Sequence, residues 1–320
     1  MRDTFTITSK THGEWLKIRE EGIGSSEVAT VLGVSPYDTP YQLWLRKTGQ
    51  VKAVEQENFL MKAGHYLEDA ISRFCADDAG LEIVKNSAAE FVVVDSKKPF
   101  MRVSPDRYAY PIGAKKNAHS RSIIECKSTQ KTVDPDNIYQ HWFLQCCYQM
   151  HVTRTETAHL AWLTQGRDFG YKTLVYDADF CKFIEEEVER FWVDCVIGGR
   201  EPALSPVDVI VKYPRHADGK KAYANDEIVQ IWSDLKDTNA EISRLNGIKE
   251  SLEEHIKATM LDAESLVIPA EKDTAERVIC TWKAPKPSQK FDEKKFKESS
   301  PDVYAQYLVN REGSRRFLCK

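Results

Sequence analysis

The sequence predicts an α/β protein, and three observations carry that expectation. Short apolar runs such as Phe91-Val92-Val93-Val94 and Ile123-Ile124 suit strands in a sheet interior. Segments at 59–75, 135–151 and 180–197 repeat apolar residues every three or four positions, the mark of helices with one buried face. The two kinds alternate to about residue 205, so strands and helices share one core.

Composition sets bounds on function. The 320 residues suffice for one large domain or two ordinary ones. Hydrophobic content of 42% and charged content of 29% fit a soluble globular chain. No apolar run approaches the roughly 20 residues that span a bilayer, so no membrane partner is expected. Met1-Arg2-Asp3-Thr4-Phe5 lacks the apolar core of a signal peptide, and a cytoplasmic location is expected. Cys75, Cys126, Cys146, Cys147, Cys181, Cys195, Cys280 and Cys319 form no C-x-x-C pair. Reduced thiols are expected, with neither a disulfide framework nor structural zinc. The formal net charge of −4 neither favours nor excludes nucleic acid, because a local basic surface decides that. Basic clusters lie at Lys115-Lys116 with Arg121, Arg215 to Lys221, Lys283 to Lys297, and Arg311 with Arg315-Arg316.

Taken in order, residues 1–12 are polar and expected to be partly ordered at best. A first helix begins near His12 and runs to Arg19, stopped by Gly22-Ile23-Gly24. Ser25-Ser26-Glu27 opens a short helix, since Ser and Glu satisfy the free N–H groups of a first turn. The same segment is a plain capped turn or an anion site. A third helix spans Thr39 to Thr48, with Pro40 near its start and Gly49 beyond its end. Leu60, Gly64, Leu67, Ile71 and Phe74 place one buried face on a helix from Phe59 to Cys75, and a carboxylate such as Glu68 or Asp69 on it is ordinarily a surface residue. Strands follow at Leu81 to Val84 and Ala88 to Asp95, and Phe100 to Val103 leads into a turn. Pro135 to His151 reads as a helix carrying Gln145 and Gln149. Thr157 to Leu163 and Tyr171 to Val175 read as a strand pair, and Phe180 to Ile197 as an amphipathic helix ended by Gly198-Gly199.

The composition then shifts. Pro202 to Asp218 looks like a connection. Ile228, Ile231, Leu235, Ile242, Leu245, Leu252, Ile256 and Met260 make 226–261 a long helix or a helical hairpin, with a coiled-coil-like seam and a bend at Gly247. The last section mixes short strands, Ser265 to Ile268 and Arg277 to Trp282, with a charged helix at Asp292 to Glu298. The expected division is a core at 1–215, a long helix or hairpin at 216–263 and a small α+β extension at 264–320.

The chemistry concentrates between Ser104 and Thr129. Ser104-Pro105-Asp106-Arg107 precedes a polar segment, and then Ile123-Ile124 runs into Glu125-Cys126-Lys127. Side chains alternate along a strand, so Glu125 and Lys127 share one face and Cys126 takes the other. Asp106 joins them from a preceding strand, with the polar segment as the connecting hairpin. Two carboxylates and a lysine on one face suit a Mg²⁺-dependent phosphodiesterase, because hard cations prefer oxygen ligands. A lysine beside a metal-bound water orients or deprotonates it.

Several stretches together resemble one family. Trp15-Leu16-x-x-Arg19 with Gly22-Ile23-Gly24-Ser25-Ser26-Glu27 is similar to the opening of the YqaJ-like viral recombinases, relatives of phage lambda exonuclease. Gly33-x-Ser35-Pro36-Tyr37, Leu43-Trp44 and Lys47-Thr48-Gly49 continue the likeness. Gly64-x-x-Leu67-Glu68, Ser104-Pro105-Asp106 and Glu125-Cys126-Lys127 resemble the family's three acidic motifs. Tyr139, Gln145, Tyr148-Gln149-Met150 and Val152-Thr153 resemble its glutamine-bearing helix, and Ser314-Arg315-Arg316-Phe317 is similar to tails of some phage members. The order and spacing over about 12–165 make the composite specific.

The resemblance implies a restriction-endonuclease-like, PD-(D/E)xK core with a central mixed sheet flanked by helices. It implies that Glu68, Asp106 and Glu125 hold divalent metal, with the Cys126 carbonyl a further ligand. The metal would be two Mg²⁺ ions, replaceable by Mn²⁺. Lys127 would assist the attacking water and Gln145 would position the site. Arg19, Ser25 and Ser26 would bind a DNA 5′ phosphate. The implied activity is 5′ to 3′ digestion of one strand from duplex DNA ends. It leaves 3′ overhangs for a single-strand annealing partner, in the cytosol of a bacterium or a phage-infected host. A homo-oligomer is implied, with a trimer as one form. Some related nucleases hold an iron–sulfur cluster on four cysteines; the spacing here does not match, and none is expected. Two other functions stay open at this point: an endonuclease of the same fold in repair or restriction, and a non-catalytic DNA-binding scaffold.

Overall fold

Alternating Thr, Phe and Ile make a strand of the N-terminal segment. In the computed structural model, which describes residues 4–51, 59–84, 90–270, 275–309 and 315–319, strand β1 is Thr4–Thr8. This corrects the expectation of a partly ordered start. The Thr-Phe-Thr-Ile-Thr pattern has the β-branched, period-two character of a strand. Its partner lies some ninety residues on, however, and is invisible locally. Helix α1 (His12–Glu20) follows, capped by the Thr11 side chain, which accepts from the Glu14 N–H. Then come a 3₁₀ turn (Ser25–Glu27), α2 (Val28–Val31), α3 (Pro40–Lys47) and α4 (Phe59–Ala79).

Strands β2 (Leu81–Ile83), β3 (Phe91–Asp95), β4 (Arg102–Val103), β5 (Arg107–Pro111) and β6 (Ser122–Thr129) come next. The expected beginning of β3 at Ala88 lies outside the described residues. Helix α5 is Gln140–Thr153, five residues later than expected. Asp134 and Pro135 instead make a turn, with the Asp136 N–H donating to Asp134 Oδ1 at 3.0 Å. Strands β7 (Thr157–Thr164) and β8 (Asp168–Val175) precede α6 (Ala178–Arg190), which continues as a π-helical stretch over Phe191–Ile197. The expected connection at 202–218 contains α7 (Pro206–Lys212). Asp208 fixes it: the carboxylate is fully buried and accepts from Thr39 Oγ1 at 2.6 Å, Gln42 Nε2 at 3.2 Å and Ser205 Oγ at 2.7 Å.

The central sheet runs in the order β2-β5-β6-β7-β8. The β6–β7 pair is parallel, in register from Ser122 opposite Thr157 to Thr129 opposite Thr164, and the other pairs are antiparallel. The sheet is therefore mixed, with helices on both faces. Ile124, Cys126 and Ala161 pack with Ile71 and Cys75 of α4. Ile123, Leu160 and Trp162 pack with Tyr148 and Met150 of α5 in the larger core. A second sheet, β1-β3-β4, is antiparallel. Gly22-Ile23 ties the N-terminal helices to it: the Ile23 N–H donates to the Phe100 carbonyl at 2.7 Å, and the Arg102 N–H to the Ile23 carbonyl at 3.2 Å.

The chain divides into two units, Met1–Lys212 and Tyr213–Lys320. In the second, α8 runs unbroken from Asp226 to Met260, through Gly247, so the region is one helix and not a hairpin. Strands β9 (Ser265–Ile268) and β10 (Arg277–Thr281) form an antiparallel pair, and α9 (Glu293–Ser299) and α10 (Pro301–Gln306) follow. Met260 is buried, 3.8 Å from the Cys280 sulfur. Ser314 of the C-terminal motif lies outside the described residues.

Candidate active site

Strand β6 delivers the site by simple alternation. Ile124 and Cys126 turn toward α4, so Glu125 and Lys127 turn toward α5 with Ile123. Two glutamines one helical turn apart on α5 meet them there. Lys127 Nζ donates to Glu125 Oε1 at 2.6 Å and to Gln145 Oε1 at 2.9 Å. Gln145 Nε2 donates to the same Glu125 oxygen at 2.6 Å. Gln149 Nε2 donates to Glu125 Oε2 at 2.8 Å. Glu125 is thus buried, with donors on both oxygens.

Asp106 enters from the start of β5, as the hairpin expectation requires. β5 and β6 pair antiparallel with Arg107 opposite Ile124, and Asp106 Oδ2 accepts the Cys126 N–H at 2.7 Å. Burial pushes the Asp106 carboxyl well above the usual carboxylate range, and the charges of Glu125 and then Glu68 push it further. Burial alone would lower Lys127, but the Glu125 and Asp106 charges and the Glu125 hydrogen bond outweigh it and raise the ammonium above the usual lysine range. Lys127 is therefore a proton donor in this arrangement.

Glu68 sits on α4, across β6 from Glu125, and its main-chain carbonyl lies 3.6 Å from the Cys126 sulfur. Its carboxylate bonds His65 Nδ1 at 2.8 Å and stands 3.9 Å from Arg107 Nη1. Among the described residues no three His, Cys, Asp or Glu side chains stand close enough together to hold a metal ion. The donor chemistry nonetheless fits a hard divalent cation. The charges of Glu125 and Glu68 both raise the Asp106 carboxyl, and a cation among the three would relieve that repulsion.

Beside this set lies a small pocket of about 180 Å³, lined by Trp15, Arg19, Ser25, Ser26, Asp106 and Gln145 among others. Arg19 Nη2 donates to Ser26 Oγ at 3.0 Å, and its guanidinium lies 4.4 Å from the Trp15 ring centroid. Trp15 is anchored in turn, its indole N–H donating to Ser104 Oγ at 3.3 Å. Lys47 braces the pocket from behind, with Nζ 2.9 Å from Glu27 Oε2 and 3.3 Å from the Arg19 carbonyl. A larger cleft of about 860 Å³ also contains Trp15, Glu68 and Asp106. The structure thus brings Arg19, Ser25 and Ser26 next to Asp106 and Gln145.

A family model for the YqaJ-like viral recombinase domain matches residues 14–156. The uncharacterized protein YqaJ of Bacillus subtilis (strain 168) is 31% identical over 305 residues, covering 91% of this chain and 89% of that protein. The chain belongs to the YqaJ-like viral recombinase family. This recombinase-family chain is also similar to solved structures. The alkaline exonuclease LHK-Exo from Laribacter hongkongensis shares 16% identity at a TM-score of 0.43, over 57% of this chain and 91% of that one. A phage related exonuclease from Haemophilus somnus 129PT shares 14% at 0.39, over 56% and 96%.

The YqaJ-family fold is the α/β core expected from the resemblance, with a mixed central sheet between helices. Two residues of the site, Gln149 and Trp15, stand in the sequence motifs without a role assigned to them there. Gln149 lies one turn beyond Gln145, and that i, i+4 spacing was its signal. Trp15 lies one turn before Arg19 and carried the same signal. Among the described residues no helix is long and apolar enough to cross a membrane.

Proposed function

We propose that this chain is a divalent-metal-dependent deoxyribonuclease that digests duplex DNA from its ends, 5′ to 3′. It would leave 3′ single-stranded overhangs for an annealing partner in recombination. The observation that carries the reading is the shared pocket: Arg19, Ser26 and Trp15 line the same small space as Asp106 and Gln145. A cationic grip for a terminal phosphate beside a hydrolytic set is what an end-dependent enzyme needs, and an endonuclease does not. The names of the two exonuclease structures agree with this reading.

Each residue then has a role. Asp106, Glu125 and Glu68 would hold Mg²⁺ or Mn²⁺, with the Cys126 carbonyl as a further ligand. Divalent ions there would supply Lewis-acid stabilisation of the charge that builds on the scissile phosphate. Lys127, held as an ammonium, orients the attacking water and offsets negative charge. Gln145 fixes the position of both Lys127 and Glu125. Arg19 binds a 5′ phosphate through charge-assisted hydrogen bonds, with Ser25 and Ser26 at the same pocket.

The test is digestion of linear 5′-phosphorylated duplex beside closed circular DNA, with Mg²⁺ or with EDTA, and with Lys127→Ala in parallel. Loss of the linear substrate alone, dependent on Mg²⁺ and abolished in the variant, is the expected result. Cutting of the circle would replace the reading with an endonuclease, and binding without cutting would replace it with a scaffold.

A further inference from the structure

We propose that α8 pairs antiparallel with α8 of a second copy of this chain. The inference concerns the second unit and does not depend on the nuclease reading. Helix α8 has 35 residues, about 52 Å at 1.5 Å per residue. Seven of the ten residues at two positions of a seven-residue repeat are apolar over five heptads. One position of the repeat holds Ile228, Leu235, Ile242, Lys249 and Ile256, and the position three residues on holds Ile231, Thr238, Leu245, Leu252 and Thr259. A strict 3.5-residue period drifts around a lone straight helix and stays on one seam only when two helices wind about each other.

The seam is open. Ile228 and Leu245 are 50% exposed, Ile242 51%, Ile231 53% and Leu252 61%. The opposite face is polar or small, with Ser233, Ala240 and Gly247 along its middle. An exposed apolar stripe of this length, widened on its flanks by Trp232 and Ile248, marks an association surface.

The sequence of the seam selects its occupant. If α8 is laid antiparallel on a copy of itself, one register places Leu235 against the partner's Leu252, Ile242 against the partner's Leu245, and Ile231 against the partner's Ile256. In that register Lys249, the one charge in the seam, meets the partner's Thr238. There the hydroxyl accepts a hydrogen bond and the ammonium reaches outward along its stem. Only the Ile228 layer, against the partner's Thr259, is mixed. Flanking the seam, Asp234 comes beside the partner's His255, and no like charges face each other. A parallel pair would instead stack Lys249 on the partner's Lys249 in a buried layer, where like charges repel and desolvation is costly. The helix is self-complementary in one direction only.

Light scattering on the full chain, with Leu245→Glu beside it, tests pairing. The variant is expected to halve the particle mass while its circular dichroism stays that of the folded chain. An unchanged mass, or a wild type that runs as a 36.7 kDa monomer, overturns the proposal. Direction is read by oxidative cross-linking of Leu235→Cys and Leu252→Cys, expressed alone and together, with the wild type giving the background of native thiols. Cross-linking in the co-expressed pair, with each variant alone at background, is the expected result. Self-linking of either variant alone shows a parallel seam and overturns it, as does a co-expressed pair at background.

Discussion

Gln149 Nε2 lies 2.8 Å from Glu125 Oε2 and 3.2 Å from Ser25 Oγ. One fully buried amide therefore joins the central carboxylate of β6 to the turn that carries Ser25 and Ser26. Among the described residues its own Oε1 has no hydrogen-bond partner, and the donor end holds it in this orientation. The amide fixes the distance between the turn that carries Ser25 and Ser26 and the Glu125–Lys127 cluster.

Replacing Gln149 with Met keeps the shape and removes both donated bonds. Glu125 Oε2 then loses a buried donor, which costs roughly 1–3 kcal/mol. The urea midpoint should fall accordingly, and turnover on linear duplex should fall further than substrate binding does. A variant with wild-type midpoint and turnover would remove Gln149 from this role.

Arg19→Ala should erase any preference for phosphorylated ends. A hydrogen bond to a charged group is worth about 1.5–3 kcal/mol, roughly ten- to a hundred-fold in rate. Digestion rates on 5′-phosphate and 5′-hydroxyl duplexes should differ by that factor in the wild type and converge in Arg19→Ala. The same preference in both proteins would count against Arg19 as the phosphate ligand.

Asp106→Asn should stabilise the fold at neutral pH while abolishing digestion. The Asp106 carboxyl is raised by burial first and by Glu125 and Glu68 next. A raised acid binds more protons folded than unfolded, so its ionisation costs stability. The cost is absent below the usual 3.8 and grows as pH rises through the folded value. Melting temperatures measured in EDTA should show the variant above the wild type at pH 7.5, the gap closing toward pH 4. Added Mg²⁺ should raise the wild type and leave the variant unmoved, because a ligand stabilises only the fold that binds it.

Gly22→Ala and Gly13→Ala should part company. A Cβ at Gly22 would come within 2.3 Å of the Phe100 carbonyl oxygen, where the backbone of 22–23 joins the β1-β3-β4 sheet through its bonds to 100–102. At Gly13, inside α1, nothing lies within 4 Å. Thermal melts should show Gly22→Ala clearly destabilised and Gly13→Ala unchanged or stabilised by about 0.5–1 kcal/mol. Equal melting temperatures would refute the close approach at Gly22.

Much of the site was legible because its signals are local. Alternation on one strand placed Glu125 and Lys127 together, and the polar stretch between two apolar runs gave the hairpin that returns Asp106 to them. Helical spacing found α4, α5 and α6 and their apolar faces. What escaped depended on partners far away in sequence. β1 was missed because a five-residue strand is recognised by β3, to which it pairs. α7 was missed because Asp208 finds Thr39 and Gln42 some 170 residues earlier. Gln149 was placed on α5 without a role, since its spacing puts it on the face of Gln145 but nothing local says that this face meets β6.

By itself the sequence determined the α/β class, the carboxylate and lysine motifs, the helical character of 226–261 and the family. The class, the motifs and the helix follow from periodicity and spacing, which the backbone imposes within a few residues; the family follows from the resemblance of its motifs taken in order. Only the tertiary structure decided that β6 and β7 run parallel, that Glu68 approaches from the opposite face to Glu125, and that the Arg19 pocket opens beside Asp106. Those relations rest on which distant segments share a core, and close packing of side chains, not local backbone geometry, makes that choice.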